Sequence, residues 1–257
     1  MDYGFNIDLN RSMYRIDDAA VKKFRKNLDS IAIDLRDYLL SDNITIDAKT
    51  VAKHLFPLDR CDVFISHSYA DQDLAIQLAL DLKKKGIHAF IDSTAWGSAY
   101  DLLKAIDEKH CEIKGTSRYH YDKRNRSTAH VYMILATALQ QMIAKSSALF
   151  FLNTDRSLST KHSIAGEDKT HSPWIHMELM FSYLIWQAKQ DSKQLVVANE
   201  SYTLDSVPVV HEAYTEHLKD IKHSRLQQWI NGCKDNGSSE DTYASLYRLH
   251  LSPNQVL

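Results

Sequence analysis

Residues 61–67 read CDVFISH, and after Asp71 an amphipathic stretch leads to IHAFID at 87–92. The first run is short, β-branched and aromatic, as a strand buried on both faces is. Asp71 stands where a helix N-cap belongs, Leu74, Ala75, Leu78, Ala79 and Leu82 fall on one helical stripe, and Gly86 supplies the stop. Strand, helix and strand with short joints make a βαβ unit, whose crossover sets the two strands parallel. CDVFISH therefore reads as the first strand of the main domain and IHAFID as the second.

Downstream, 93–100 (STAWGSAY) is a loop and 99–109 an amphipathic segment, while 110–127 (HCEIKGTSRYHYDKRNRS) is polar, basic and aromatic without a period, and reads as an inserted loop. Thr128 opens a helix whose Val131, Ile134, Leu135, Ala138, Leu139, Met142 and Ile143 line one face, leading into a third strand, SALFFLN at 147–153. Residues 154–172 form a long polar loop. Ser172 before Pro173 is an N-cap with proline at the first helical position, so a helix follows through Trp174. QLVVA at 194–198 is the expected fourth strand. The tail reads as helical, with Tyr214, Leu218, Ile221 and Trp229 on one side of a helix, then a loop at 231–241, then a short helix at 243–250.

Upstream, Val21, Phe24, Leu28, Ile31, Leu35 and Tyr38 repeat at three and four residues along a helix beginning near Asp17. Three heptads fit an ordinary packed helix or a seam between copies. The expected organisation is an N-terminal helical extension (1–58), a main domain (59–200, with the insertion at 110–127) and a C-terminal helical extension (201–257). The expected fold is α/β, a flavodoxin-like three-layer sandwich with a mostly parallel sheet, in which ligands bind outside the carboxyl ends of the strands.

Composition narrows the chemistry. The chain has 257 residues, 44% hydrophobic, with 31 basic against 33 acidic residues, a formal charge of -2 and a pI near 6.7. No global positive field exists to hold nucleic acid or an anionic membrane, so neither is an expected partner. Cys61, Cys111 and Cys233 are odd in number and far apart, which argues against a disulfide framework and fits the cytoplasm. No stretch of 18 apolar residues occurs. With seven glycines there is neither a dinucleotide fingerprint nor a phosphate-cradling loop, Ser66-His67-Ser68 lacks the glycines of a nucleophile elbow, and HExxH is missing. His120, His130, His162, His171 and His176 match no zinc spacing, so no metal site is expected. The basic run Lys123 to Arg126, beside Tyr119 and Tyr121, fits a phosphate-gripping loop or a solvated insertion.

The sharpest signal is WIHMELMFSYLIWQAK at 174–189, in which Glu178 is the one acid in four largely apolar turns. Trp174 lies one turn before it on the same helical face. Such a carboxylate is paired, opened to a cleft, or used.

Taken in order, Asp62 to His67, the helix after Asp71, Phe90-Ile91-Asp92 and Ser172 to Leu179 resemble the TIR (Toll/interleukin-1 receptor-like) domain over roughly residues 60–200, the last segment being similar to its WxxxE motif. The resemblance implies a five-stranded parallel sheet and, in bacterial members, an NAD⁺ glycohydrolase or cyclase whose catalytic glutamate is Glu178. It implies Ser66 and His67 beside the nucleotide, and Asp92 to Gly97 shaping the pocket and mediating assembly. NAD⁺ is then substrate, and no cofactor is expected. Trp96 or Trp174 would stack on a ring of the substrate, or be core. Two departures are Ala95-Trp96-Gly97 where the family usually has Pro-Gly, and the long 110–127 segment. The latter suggests an antiphage effector that self-associates or answers to a co-encoded activator. A TIR module without chemistry, and a nucleoside deoxyribosyltransferase-like enzyme, which also works with a glutamate on such a sheet, are the alternatives.

Overall fold

The computed structural model describes residues 1–26, 48–55, 60–91, 103–116, 118–158, 168–190 and 211–251. These divide into two compact units, one drawn from 1–16, 61–90 and 143–257, the other from 17–60 and 91–142.

The first unit holds a five-stranded parallel sheet flanked by helices, the flavodoxin-like three-layer α/β arrangement. Its strands are β1 (Tyr3–Asp8), β2 (Val63–Ser66), β3 (Ala89–Ile91), β4 (Ala148–Asn153) and β7 (Lys219–Lys222), in the order β3-β2-β4-β1-β7. A two-stranded antiparallel pair, β5 (Lys169–Thr170) with β6 (His211–Glu212), stands apart from it. In β4, Phe150 faces Phe5 of β1 on one side and Ile65 of β2 on the other, and β1 continues to β7 from Phe5/Lys219 to Asp8/Lys222.

The βαβ reading holds. Strands β2 and β3 flank the Gln72–Lys84 helix, all five of its expected stripe residues are buried, and Gly86 at φ 77° ends it with Ile87 N–H donating back to the Leu82 carbonyl. Asp71 occupies the N-cap position, but its side chain makes no capping bond.

Two boundaries change. Residues 3–8 are not part of a helical extension: β1 lies inside the sheet, between β4 and β7, so CDVFISH is the second strand of the domain. The period-two alternation of Tyr3, Phe5 and Ile7 with Gly4, Asn6 and Asp8 is the strand signal, and Phe5 and Ile7 are fully buried. The C-terminal part is likewise no mere helical extension. Leu218 and Ile221, helical by spacing, lie before and within β7, and helices follow at His223–Gly232 and Ser239–His250. With one apolar residue between lysines, β7 is a charged edge strand, a pattern that carries no alternation of its own. The QLVVA segment lies outside the described residues.

The two faces of β1 meet different elements. Tyr3 and Phe5 pack on His250, Tyr3 also on Tyr243, and Phe150 on Trp229, so the two C-terminal helices cover that face. The Gln72–Lys84 helix joins them, Lys85 pairing with Asp235 at 2.6 Å. On the other face Gly4 sits so close to the 217–218 segment that a Cβ there would fall 2.6 Å from Leu218 Cδ2. His217 in turn holds Ser182 of the Pro173–Gln190 helix.

In the second unit, Asp17 caps a helix over 18–26, its Oδ1 accepting from the N–H groups of Ala19 and Ala20, and Val21 is buried. The remainder of that helical seam, Leu28 onward, lies outside the described residues. Helix Ala48–Leu55 belongs to the same unit. The expected insertion at 110–127 is largely ordered: a π-helical turn at Asp107–Cys111, an antiparallel bridge from Glu112 to Tyr119, and then the Tyr121–Lys145 helix, which begins seven residues before Thr128. Arg124 is engaged within it, 2.8 Å from Asp107 and over the Tyr119 ring. Residues 121–126 are exposed and mostly charged all round the helix, so they give no apolar period, which is why this first stretch of helix reads as loop. Among the described residues no helix is long and apolar enough to cross a membrane.

Because β1 is an inner strand, Phe5→Ala should cost about 3–5 kcal/mol, the cost of truncating a core aromatic. Chemical denaturation checks this, and a loss below about 1 kcal/mol would show β1 to be a dispensable appendage.

Candidate functional site

The Pro173–Gln190 helix sets Glu178. Ser172 caps it as expected, its Oγ accepting from Ile175 N–H at 3.3 Å and its carbonyl from His176 N–H at 3.1 Å, with Pro173 at the first helical position. At its far end Lys189 ion-pairs with Asp2 and donates to the Met1 carbonyl, which fixes that end at the amino edge of the sheet. A helix rises about 1.5 Å per residue, so Glu178, eleven residues back, lies roughly 16 Å toward the carboxyl edge. The six residues of β1 span roughly 20 Å. Glu178 is thus brought just beneath the carboxyl ends of the strands, where open α/β sheets bind ligands. It is 0% exposed, on the inner face of the helix with Ile175, Leu179 and Ser182. Trp174, one turn nearer the rim, is half-buried.

Ser66 ends β2 and His67 follows it, both buried at the same carboxyl edge; His67 Nδ1 lies 3.4 Å from the Ile65 carbonyl oxygen. Strand β2 sets Ser66 and His67 at the carboxyl edge of the sheet, and the helix anchored at the amino edge carries Trp174 and Glu178 toward that same edge. Asp92 and Trp96 lie outside the described residues.

The 211–217 segment completes the outer side of the helix, and no sequence signal announced it. Strands β5 and β6 pin it, Ala213 N–H donating to the Asp168 carbonyl and Thr215 to the Asp168 carboxylate. His176 stacks on His211 with centroids 5.0 Å apart and meets the Glu212 carbonyl through Nδ1 at 2.6 Å. Tyr183 stacks between Trp186 and Tyr214. Ser182 Oγ donates to the Leu179 carbonyl at 2.8 Å, so in the Ser182–His217 contact, also 2.8 Å, the imidazole Nε2 is the donor. His217 Nδ1 is then the bare nitrogen, buried with no hydrogen-bond partner among the described residues.

The rim carries a second group that sequence reading missed. Asp71, 1% exposed, faces Arg11 from the turn after β1 and Arg156 from the turn after β4, and accepts a hydrogen bond from Thr154. Nothing in the local sequence links residues so far apart; only the strand order β2-β4-β1 brings their loops together. At the opposite, amino end, a cavity of about 280 Å³ lined by Lys85, Ile87, Cys233, Lys234 and Arg248 is remote from these groups.

Comparison of the chain with family models, with curated proteins and with solved structures finds no match.

Burial pushes the His217 pKa down from 6.5 to about 4. The unfolded chain therefore binds a proton that the folded chain refuses. The contribution to stability is complete above pH 6.5 and is lost as pH falls toward 4, by up to about 3 kcal/mol. Denaturant titrations should show His217→Gln to be less pH-dependent than the wild type over that interval; parallel curves would count against a buried neutral imidazole.

Proposed function

We propose that this protein is a TIR-like NAD⁺ glycohydrolase or cyclase, of the kind used in prokaryotic antiphage defence, with Glu178 as its catalytic carboxylate. The observation that supports the reading best is the setting of Glu178: the sole acid of its helix, wholly buried, in a helix that runs from the amino edge of a parallel sheet toward the carboxyl edge that carries Ser66 and His67. The order of the motifs along the chain supports it too. The N-terminal strand β1 lies outside the segment that resembles the family and is an addition that the reading must accommodate.

The chemistry asks for little acid catalysis. As the bond from ribose C1′ to the nicotinamide nitrogen breaks, its electron pair stays with the pyridinium ring, which leaves as a neutral molecule. The ribose passes through an oxocarbenium-like state. A carboxylate held against it, in a site with little water to screen the charge, lowers that barrier. Water then adds at C1′ and gives up a proton, or a ring nitrogen of the adenine adds instead and closes a cyclic product. Trp174 supplies an apolar wall one turn away, suited to the departing ring. Self-association, or a co-encoded activator, completes the pocket in this reading.

Glu178→Gln keeps the size of the side chain and removes its charge. Turnover of NAD⁺ should fall by a factor on the order of 10² to 10³, while NAD⁺ affinity changes much less and the protein stays folded. Thermal unfolding, binding and turnover on the same preparations test this. A folded variant that consumes NAD⁺ at the wild-type rate would falsify the mechanism; a wild type that leaves NAD⁺ intact but cleaves deoxynucleosides, or neither, points to the transferase or the interaction module.

No step in this reaction needs a Lewis acid, so NAD⁺ cleavage should be unchanged by excess chelator. Activity abolished by chelation and restored by a divalent cation would assign the chemistry to a metal instead.

A further inference from the structure

Three loops meet above the carboxyl end of β4, and two of them bring an arginine to one buried aspartate. The chain leaves β2 toward β3 on one side of the sheet and leaves β4 toward the other, so the crevice between their carboxyl ends is a topological switch point, the usual ligand position in such sheets. Arg11 and Arg156 flank it. Each reaches the same oxygen of Asp71, Oδ1, at 3.6 and 3.7 Å, so the two cationic nitrogens stand within about 7 Å of each other. Charge-assisted N–H···O bonds are nearer 2.7–2.9 Å. Asp71 therefore gathers the two guanidiniums by charge without occupying their donors, and its Oδ1 accepts no hydrogen bond.

A guanidinium has five N–H donors. Among the described residues Arg11 donates none of them in a hydrogen bond, and Arg156 donates one, to the Ala70 carbonyl at 2.8 Å. Their side chains are 46% and 49% exposed against 1% for Asp71, so the remaining donors face outward. Both backbones are held still. Asn10 Oδ1 accepts from Ser12 N–H and Oγ–H at 3.1 and 2.7 Å, closing the turn that begins at Arg11. Thr154 Oγ1 accepts from Arg156 N–H at 3.2 Å while donating to Asp71 Oδ2 at 2.6 Å. The two cations share one internal carboxylate, in a preset geometry. Tyr69 opens the 3₁₀ turn Tyr69–Asp71 that ends in that carboxylate, and the residue is 74% exposed. An exposed tyrosine two residues from the carboxylate that gathers the arginines, and next to Ala70, whose carbonyl Arg156 holds, suits stacking of a base beside bound phosphates.

We propose that Arg11, Arg156 and Tyr69 form a binding site for a nucleoside diphosphate, the guanidiniums taking the phosphates and the phenol ring the base. Assigning that ligand to the ADP half of NAD⁺ rests on the glycohydrolase reading above; the diphosphate site itself does not.

The test is calorimetry on the full chain with ADP, inorganic pyrophosphate and adenosine in separate arms. ADP should bind more tightly than pyrophosphate, and adenosine least. Arg11→Gln and Arg156→Gln should each weaken ADP and pyrophosphate about tenfold or more, the loss of a charge-assisted contact. Tyr69→Ala should weaken ADP several-fold and leave pyrophosphate unchanged. Where a glutamine variant unfolds because Asp71 loses its counter-charge, Arg11→Lys and Arg156→Lys keep the charge and remove the fork, and the same loss is expected. Wild-type protein that takes up no ADP at millimolar concentration, or folded arginine variants that bind ADP as the wild type does, overturns the proposal. ADP binding that depends on the arginines in a protein that leaves NAD⁺ intact keeps the site and removes the glycohydrolase reading. Glu178-dependent turnover with a KM untouched by the arginine variants does the reverse.

Discussion

Everything in the first unit depends on a six-residue strand at the very start of the chain. β1 pairs with β4 along its whole length on one side and with β7 on the other, so it joins the β3-β2-β4 part of the sheet to the C-terminal edge. Its partners are about 145 and 214 residues away in sequence (Tyr3 with Ala148, Phe5 with Lys219), so closing the sheet carries a large loop-closure cost and forms late relative to local helices. What offsets that cost is burial: Phe5 and Ile7 are wholly enclosed, and Phe5 meets Phe150 edge-on at 5.4 Å. The chain terminus is tied down as well, the amino group of Met1 donating to the Ala144 carbonyl at 2.9 Å.

The same end of the chain fixes the helix that carries Glu178. The Pro173–Gln190 helix is fixed at its amino end by the Ser172 cap and the β5-β6 pair, and at its other end by Lys189 against Asp2. A helix held at both ends cannot slide along the sheet. A one-residue slip would rotate its buried face by about 100° and turn Glu178 away from the strands. Gly4 has a part in this: with no side chain it lets the His217–Leu218 segment approach the sheet, and that segment supports Ser182 one turn from Glu178.

How much of this was legible in the sequence follows from which interactions are local. The βαβ unit, the Gly86 stop, the helix start near Asp17, the Ser172 cap and the β4 run are set by neighbours in the chain, and the residues say so. The Glu178 helix is legible for the same reason. What the chain hides is non-local. Tyr3 to Asp8 alternates correctly but is short, and only its pairing makes it an inner strand. Leu218 and Ile221 share a helical spacing with Tyr214, yet β7 forms because β1 offers an unpaired edge. Asp71 has the residue type and position of a helix cap, and the guanidiniums of Arg11 and Arg156 take its side chain instead. Tyr121 to Ser127 carries too few apolar residues to mark the first turns of its helix.

The two edges of the sheet differ in what they bury. At the amino edge the buried polar groups serve the backbone: Asp62 accepts from His88 N–H at 2.8 Å across the β2-β3 joint, and Ser146 returns its hydroxyl proton to the Ile143 carbonyl. Such groups complete secondary structure and need no other reason to be there. At the carboxyl edge Ser157 likewise serves the backbone, donating to the Leu152 carbonyl, but Ser66, His67 and Asp71 are buried there too, and Glu178 is buried in the helix that runs toward it. Asp71 is occupied by two side-chain cations and a threonine, and it caps nothing. Glu178 lies in the middle of an apolar helix, where leucine would pack at lower cost in desolvation. Sequences that specify a fold well tend to break their local rules where function requires it. Here such breaks lie toward one edge, the edge where this topology leaves a crevice, and that is the physical ground for seeking both the proposed catalytic carboxylate and the proposed phosphate site there.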